Sequence, residues 1–210
     1  MKHLIIIGAG GFGREMFGAA REAVGYGADF DIRGFLDVRK DALADFAGYP
    51  PVIGSPDTYV PMTDDVFITA LGSIASRRRC AELVAARGGR FISIVHRTAS
   101  LGPNVAVGEG SFVAHNVVLT ADVTVGRHAC VFHMSSVGHD TVLGDFSHVY
   151  AQCAVGGAVR LGEGAIIYPG STVMPRRTIG RNAVVGAGST VVLNVPEGVT
   201  VFGSPAEQVK

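Results

Sequence analysis

From Val95 onward the chain carries Val, Leu or Ile at every sixth position: Val95, Leu101, Val107, Val113 and so on without a break to Val185 and Val191, seventeen positions in all. The residue that follows is glycine at nine of them, among them Gly102, Gly126, Gly144, Gly162 and Gly180. The fourth residue after each aliphatic is small or β-branched almost throughout (Ser111, Ala129, Thr141, Cys153, Ala165, Ser171), with Arg177 as the exception. A period of six matches neither a helix nor simple strand alternation. It is the period of a parallel β-helix, in which each hexapeptide is a short strand plus a corner and three close one triangular coil. The aliphatic residue then points to the axis and stacks on its equivalent about 4.8 Å away in the next coil. The glycines are expected to supply unusual backbone angles. The pattern ends after Val191, and Val199 to Phe202 is expected to add one more strand.

The first 92 residues are patterned differently. His3 to Ile7 reads as a buried parallel strand. It runs into Gly8-Ala9-Gly10-Gly11-Phe12-Gly13 and then a helix over Arg14–Val24, with Met16, Phe17, Ala20 and Val24 on one side. This strand–turn–helix is the first unit of a nucleotide-binding α/β fold, whose free helix N–H groups suit a phosphate. The same turn also occurs with nothing bound. Strands are expected at Asp31–Leu36, at Val66–Ala70 and at Arg90–Val95, and the Gly48–Gly54 stretch reads as a turn region. Short helices are expected from Ser55 to Val60 and from Ser76 to Arg87, the second with Cys80, Leu83 and Val84 inward. Asp37, 24 residues after Gly13, can accept hydrogen bonds from a ribose or a base. About 90 residues make half a dinucleotide fold, so a mononucleotide or nucleotide-sugar fits the size better than a nicotinamide cofactor. The chain thus divides into residues 1–92, a Rossmann-like α/β domain of three to five parallel strands, and 93–210, an all-β solenoid.

Composition narrows the chemistry. Net charge is zero, which argues against nucleic acid and anionic membrane surfaces as partners. Arg77-Arg78-Arg79 reads as the polar face of a helix. No apolar run is long enough for a signal peptide or membrane span. Cys80, Cys130 and Cys153 have no metal-type spacing, and an odd, unpaired set suits a reducing cytoplasm.

Phase singles out one histidine. His115, His133 and His139 each fall two places after an inward aliphatic, at a corner. With 18 residues per coil, His115 and His133 stack, whereas Gly157 lies directly above His139. That leaves open space over the imidazole and exposed backbone N–H to meet a substrate carbonyl. Asp140 beside it can fix the imidazole tautomer and raise its basicity, as a general base near neutral pH requires. For His128 simple solvation is the better reading.

Gly8-Ala9-Gly10-Gly11-x-Gly13, Asp37, Ile94-Val95-His96-x-x-Ala99, Ser136-x-x-His139-Asp140-x-x-x-Gly144-Asp145-x-x-His148, Gly156-Gly157, Ile179-Gly180, Gly186-Ala187-Gly188 and Gly203-x-Pro205-Ala206 together resemble the sialic acid O-acetyltransferase (NeuD-like) family of bacterial sugar acyltransferases. That family includes acetyl-CoA-dependent N-acetyltransferases of nucleotide-linked 4-amino-4,6-dideoxy sugars. The resemblance covers nearly the whole chain. It implies a left-handed β-helix, a place in polysaccharide biosynthesis, and a cytoplasmic homotrimer with active sites between subunits. Acetyl-CoA would lie near Gly157, Ala187 and Pro205, and no metal is expected. The nucleotide-sugar would be held by Gly8, Gly10, Gly11, Gly13, Asp37, Gly72 and Ser73. His139 would be the base, supported by Asp140, with His148 lining the site. Phe12 and Phe132 stand where the family often has His and Asn, both expected near the acceptor, and Glu207 stands in place of a usual Lys. O-acetylation of sialic acid or a related sugar is the alternative within the family. Outside it stand a zinc lyase of the γ-carbonic-anhydrase type, using His115 and His133, and a non-catalytic nucleotide-sugar sensor.

Overall fold

The structure is a computed structural model, and it describes residues 1–209. Lys210, the last residue of the expected second domain, lies outside the described residues. The chain divides into two units, the first Met1–Ile94 and the second from Val95 onward.

The first unit is a five-stranded parallel sheet in the order β3-β2-β1-β4-β5. Its strands are β1 (Lys2–Ile7), β2 (Phe30–Leu36), β3 (Val52–Gly54), β4 (Asp65–Thr69) and β5 (Arg90–Phe91), with helices α1 (Gly11–Arg21) and α2 (Ile74–Ala85). Leu4 to Ile7 and Val66 to Ile68 are buried, as expected for strands in a covered parallel sheet.

Four local expectations change. The stretch after Ser55 is a turn, not a helix: the Ser55 hydroxyl accepts from the Asp57 N–H, and Thr58 and Tyr59 N–H both bond to the Ser55 carbonyl. With Pro56 and Pro61 nearby, too few backbone donors remain to propagate a helix. Within the expected turn region, Val52–Gly54 pairs with β2 as an edge strand. Helix α1 starts three residues earlier than expected and stops at Arg21, which leaves Val24 exposed. Arg77 is fully buried rather than on a polar face, and Leu83 is only half-buried. Helical phase puts position 77 on the same side as Cys80, Ala81 and Val84.

The second unit is a left-handed parallel β-helix whose strands pair 18 residues apart, shortening to 16 in the last coil, where Val184 pairs with Thr200. One face stacks Ser100–Leu101 through Thr190–Val191, the next Ala106–Val107 through Thr178–Ile179, and the third runs from Ile94–Val95 to Thr200–Phe202, so that the stretch expected as one strand from Arg90 to Val95 is two strands in different sheets. The antiparallel strand Glu207–Gln208 closes the third face. The aliphatic rungs from Val113 to Val191 are buried, each contributing about 1.5–3 kcal/mol. Leu101, in the first coil, is 41% exposed.

The small inward residues act as a second ladder. The hydroxyls of Ser111, Ser135, Thr141 and Ser171 each donate to a carbonyl 15 residues ahead. Each also accepts an N–H 18 residues ahead. Corner backbone groups that strand pairing does not reach are thereby satisfied.

The glycines that follow the aliphatics do not supply positive φ. A Cβ on Gly138 would lie 2.5 Å from the Gly157 nitrogen, and one on Gly162 2.5 Å from the Arg181 nitrogen. These glycines therefore let successive coils approach. The left-handed corner falls two residues later, at eleven non-glycine residues from Asn104 to Asn182 and at Gly110, Gly164, Gly170 and Gly188. Asn and Asp are common there because a short polar side chain tolerates that conformation.

Candidate active site

The corner that follows Ser136–Val137 carries His139 and Asp140. Val137 points inward, Gly138 packs under the next coil, and His139 is thereby turned outward. Asp140 takes the left-handed corner, φ 59°, and its carboxylate accepts from His139 Nδ1 at 2.7 Å. With Nδ1 carrying the proton, Nε2 keeps its lone pair. Above the ring sits Gly157, where a Cβ would stand 2.7 Å from Nε2 and 2.9 Å from Cε1. Gly157 thus keeps the basic nitrogen uncovered. The coils are tied at this point, since Ala158 N–H donates to the His139 carbonyl at 2.7 Å. The side chains of His139 and Asp140 are 68% and 61% exposed on the single chain.

His148 and Phe132 are not brought to that corner. His148 projects from the third face and is 1% exposed, with its ring 5.9 Å from Phe132 and 5.5 Å from Tyr150. Phe132, Tyr150 and Tyr168 stack face to face at 5.1 and 5.2 Å on successive coils. Phe132 is therefore a rung of an aromatic ladder. Ala187 follows the third face as well and is exposed, as is Pro205. His115 and His133 stack at 5.0 Å with rings 2° from parallel. Ring lone pairs lie in the ring planes, so two such imidazoles point side by side instead of converging on one ion at about 2.0–2.1 Å. No group of three or more metal-ligating side chains occurs among the described residues. Geometry thus removes the ligand pair of the zinc-lyase reading.

In the first unit the glycine turn is built by close approach. Gly8 has φ +105°, and a Cβ there would meet the Ala70 carbonyl oxygen at 2.7 Å; one on Gly13 would meet the Gly8 oxygen at 2.0 Å. Gly10 is the N-cap of α1 without a side-chain cap, Gly11 faces open space, and Phe12 is half-buried in the first turn. Asp37 Oδ2 accepts from Ala9 N–H at 2.9 Å and Arg39 Nη2 at 3.3 Å, and Oδ1 from Arg39 N–H at 3.0 Å and Nε at 3.2 Å. Those four donors fill a carboxylate's capacity. A ribose hydroxyl would have to displace one of them, so in this arrangement Asp37 holds the turn and Arg39. Burial works to raise the Asp37 pKa, but the hydrogen bonds from Arg39 and Ala9 outweigh it and hold it below the usual carboxylate value. Beside the turn is a cavity of about 230 Å³ lined by Ile7, Leu36, Asp37, Pro56, Arg79 and Cys80. Gly72 is exposed, and the Ser73 hydroxyl caps α2 through the Ser76 N–H. Arg39, Pro56 and Arg79 were not singled out from sequence. Arg39 sits two residues beyond Asp37, a separation that allows such a contact without revealing it.

Comparison with known proteins follows the same division. Residues 3–84 match the PglD N-terminal domain and residues 158–192 the bacterial transferase hexapeptide family. The acetyltransferase domain of PglB from Neisseria gonorrhoeae FA1090, solved with acetyl coenzyme A, is 30% identical over 99% of both chains, TM-score 0.88. A histidine-to-asparagine variant of perosamine N-acetyltransferase from Caulobacter crescentus, solved with CoA and GDP-perosamine, is 27% identical over 100% of this chain and 98% of that one, TM-score 0.88. WeeI from Acinetobacter baumannii AYE is 25% identical over both full chains, TM-score 0.70. Curated protein sequences give no match. A small α/β domain followed by a hexapeptide β-helix defines an acyltransferase of the hexapeptide class. More narrowly, the chain belongs to the NeuD-like family of bacterial sugar acyltransferases.

Proposed function

We propose that this protein transfers an acetyl group from acetyl-CoA to the 4-amino group of a nucleotide-linked 4-amino-4,6-dideoxy sugar. The observation that carries the reading is the His139–Asp140 pair under Gly157, with Nδ1 engaged and Nε2 uncovered. The neutral amine attacks the thioester carbonyl, forming the C–N bond and a tetrahedral oxyanion. His139 Nε2 takes the proton from nitrogen. As the intermediate collapses, the C–S bond breaks, the thiolate receives that proton, and amide and CoA leave. Asp140 holds the ring tautomer throughout. In this reading Gly157 lets the thioester approach closely, and Ala187 and Pro205 contact the rest of the donor. The cavity beside Asp37 accepts the nucleoside, the turn at Gly8, Gly10, Gly11 and Gly13 faces the diphosphate, and Gly72 and Ser73 flank them. Perosamine N-acetyltransferase, a structural neighbour, was solved with GDP-perosamine, which supports a nucleotide-linked amino sugar as acceptor.

The working form is a homotrimer. Gly157 and Ala187 follow different faces of the solenoid on successive coils, so one acetyl-CoA reaches both only in a groove between two copies. Closed threefold symmetry makes three equal grooves. A second copy would also shield a His–Asp pair that one chain leaves in water. Buried free thiols at Cys80, Cys130 and Cys153 agree with a cytoplasmic location, and among the described residues no helix is long and apolar enough to cross a membrane.

Thiol release from acetyl-CoA is measured against UDP-, dTDP- and GDP-linked 4-amino sugars, with free sialic acid as the O-acetyl control. We expect release with one nucleotide-linked amino sugar and a loss of roughly 10²–10⁴-fold in His139→Ala. Ordinary turnover by a folded His139→Ala would remove the assigned base, and release with sialic acid alone would make the product an ester.

A further inference from the structure

The corner that holds His139 changes charge along the solenoid axis. Its left-handed positions read Asn104, Asp122, Asp140, Ala158 and Arg176 on successive coils. Acid lies below the imidazole and at its level, and cation lies above. Arg176 and Arg177 follow Pro175 two coils beyond His139, and the intervening coil, Gly157-Ala158, carries almost no side chain. The path is continuous. Arg176 N–H donates to the Gly157 carbonyl at 2.9 Å, and Arg160 N–H donates to the Arg177 carbonyl at 2.9 Å.

Two other solenoid arginines lie close to carboxylates. Arg127 pairs with Asp145 at 3.0 Å, and Arg181 is 3.9 Å from Glu163. Arg160, Arg176 and Arg177 have no carboxylate within salt-bridge distance among the described residues. Arg177 Nε donates only to the Pro175 carbonyl, at 3.2 Å. Arg176 holds φ 62°, a conformation that costs a long side chain more than it costs Gly, Asn or Asp. In a protein of zero net charge, three arginines without carboxylates on neighbouring backbone form an electropositive patch.

We propose that Arg176 and Arg177, assisted by Arg160, bind the phosphates of the acyl donor while its thioester sits at His139. This rests on the acetyl-CoA reading above. Reach decides it. Two coils rise about 10 Å, and an extended arginine adds about 6 Å over its five bonds from Cα to Cζ. The pantetheine arm has about 13 bonds from sulfur to the first phosphorus, which at about 1.2 Å of advance per bond is about 15 Å. The two spans agree. Met174, exposed on the coil of Arg176, offers an apolar surface to the gem-dimethyl end of the arm. At the opposite end, Asp140 and Asp122 favour the amine of the acceptor, so one corner sorts donor from acceptor by charge.

The test compares acetyl-CoA with S-acetylpantetheine, which lacks the nucleotide. In Arg176→Gln/Arg177→Gln we expect the KM for acetyl-CoA to rise roughly tenfold or more, with kcat, the acceptor KM and the melting temperature unchanged. With S-acetylpantetheine, parent and variant should be equal. Adenosine 3′,5′-bisphosphate should bind the parent in calorimetry and lose that binding in the variant, and Arg176→Lys/Arg177→Lys should recover most of the affinity. An unchanged acetyl-CoA KM in the folded glutamine variant overturns the assignment. So does an equal rise for both donors, which would mean a structural effect. If the parent releases no thiol from acetyl-CoA with any acceptor, the acetyl-transfer reading fails, and the bisphosphate titration still reports on the arginines directly.

Discussion

Gly157→Ala separates chemistry from folding more cleanly than removal of the base itself. The added methyl would stand 2.7 Å from His139 Nε2, 2.9 Å from Cε1 and 3.1 Å from Cδ2. The first two are closer than carbon makes to such atoms without movement. The obstacle is the end of an exposed side chain, not backbone, so the imidazole swings aside and the 2.7 Å contact with Asp140 is lost. That exposed pair contributes at most about 1 kcal/mol. Position 157 has no positive φ, so alanine returns about 0.4–1 kcal/mol by restricting the unfolded chain. Apparent Tm should therefore move by no more than about 2–4 °C. A base displaced by an ångström or more costs about 10²-fold in rate. Gly138→Ala is the paired control. There the Cβ meets the backbone of Gly157 and Gly156 at 2.5 and 2.7 Å, neither of which can turn away, so the coils must part. Stopped-flow thiol release and thermal melting on both variants should give a stable, slow Gly157→Ala and an unstable Gly138→Ala. The geometry argued for the base is refuted if folded Gly157→Ala keeps kcat within about threefold of the parent, or loses activity only in proportion to the fraction unfolded.

Asp140→Asn should lower kcat with little change in acceptor KM, because an amide no longer selects the Nδ1–H tautomer; a flat kcat would assign Asp140 to solvation. In the α/β domain, the Asp65 carboxylate accepts from Arg33 at 2.6 Å, the Tyr59 hydroxyl at 2.8 Å and the Met62 N–H at 2.8 Å. Asp65→Asn should cost about 2–4 kcal/mol, below the fully buried limit because Arg33 is partly in water; urea unfolding with an unchanged midpoint would contradict this. Burial, followed by the Asp65 hydrogen bond, raises the Tyr59 pKa to about 12. Its contribution to stability is then complete below about pH 10, the unfolded value, and is lost as pH rises through about 12. Tyr59→Phe should flatten that alkaline limb. Asp37 has the opposite sign, its lowered pKa making stability fall as acid protonates it. Asp37→Asn should weaken the acid dependence and loosen Arg39, read by hydrogen exchange at Ala9.

Much of the solenoid was legible without coordinates, because its order is one-dimensional. Seventeen aliphatics at a spacing of six name every inward position, and adding 18 to a residue number names its neighbour one coil on. That arithmetic alone put Gly157 over His139 and His133 beside His115. The parallel strand, the glycine turn and the helices of the first domain were legible in kind, with ends shifted by a few residues.

What only the tertiary structure decided concerns contacts that no period records. Whether glycine is required for its backbone angles or for its missing side chain depends on how closely the next coil approaches, and here approach decides. Arg77 and His148 are buried, although neither the apolar pattern of the helix nor the six-residue period marks them as inward. Asp37 is filled by donors from two segments, Ala9 and Arg39, whose meeting depends on strand pairing. A repeat encodes position along its own axis, since each coil sees only its neighbours. The partners of an outward side chain are set by whatever packs from the side, and that information is spread across distant parts of the chain.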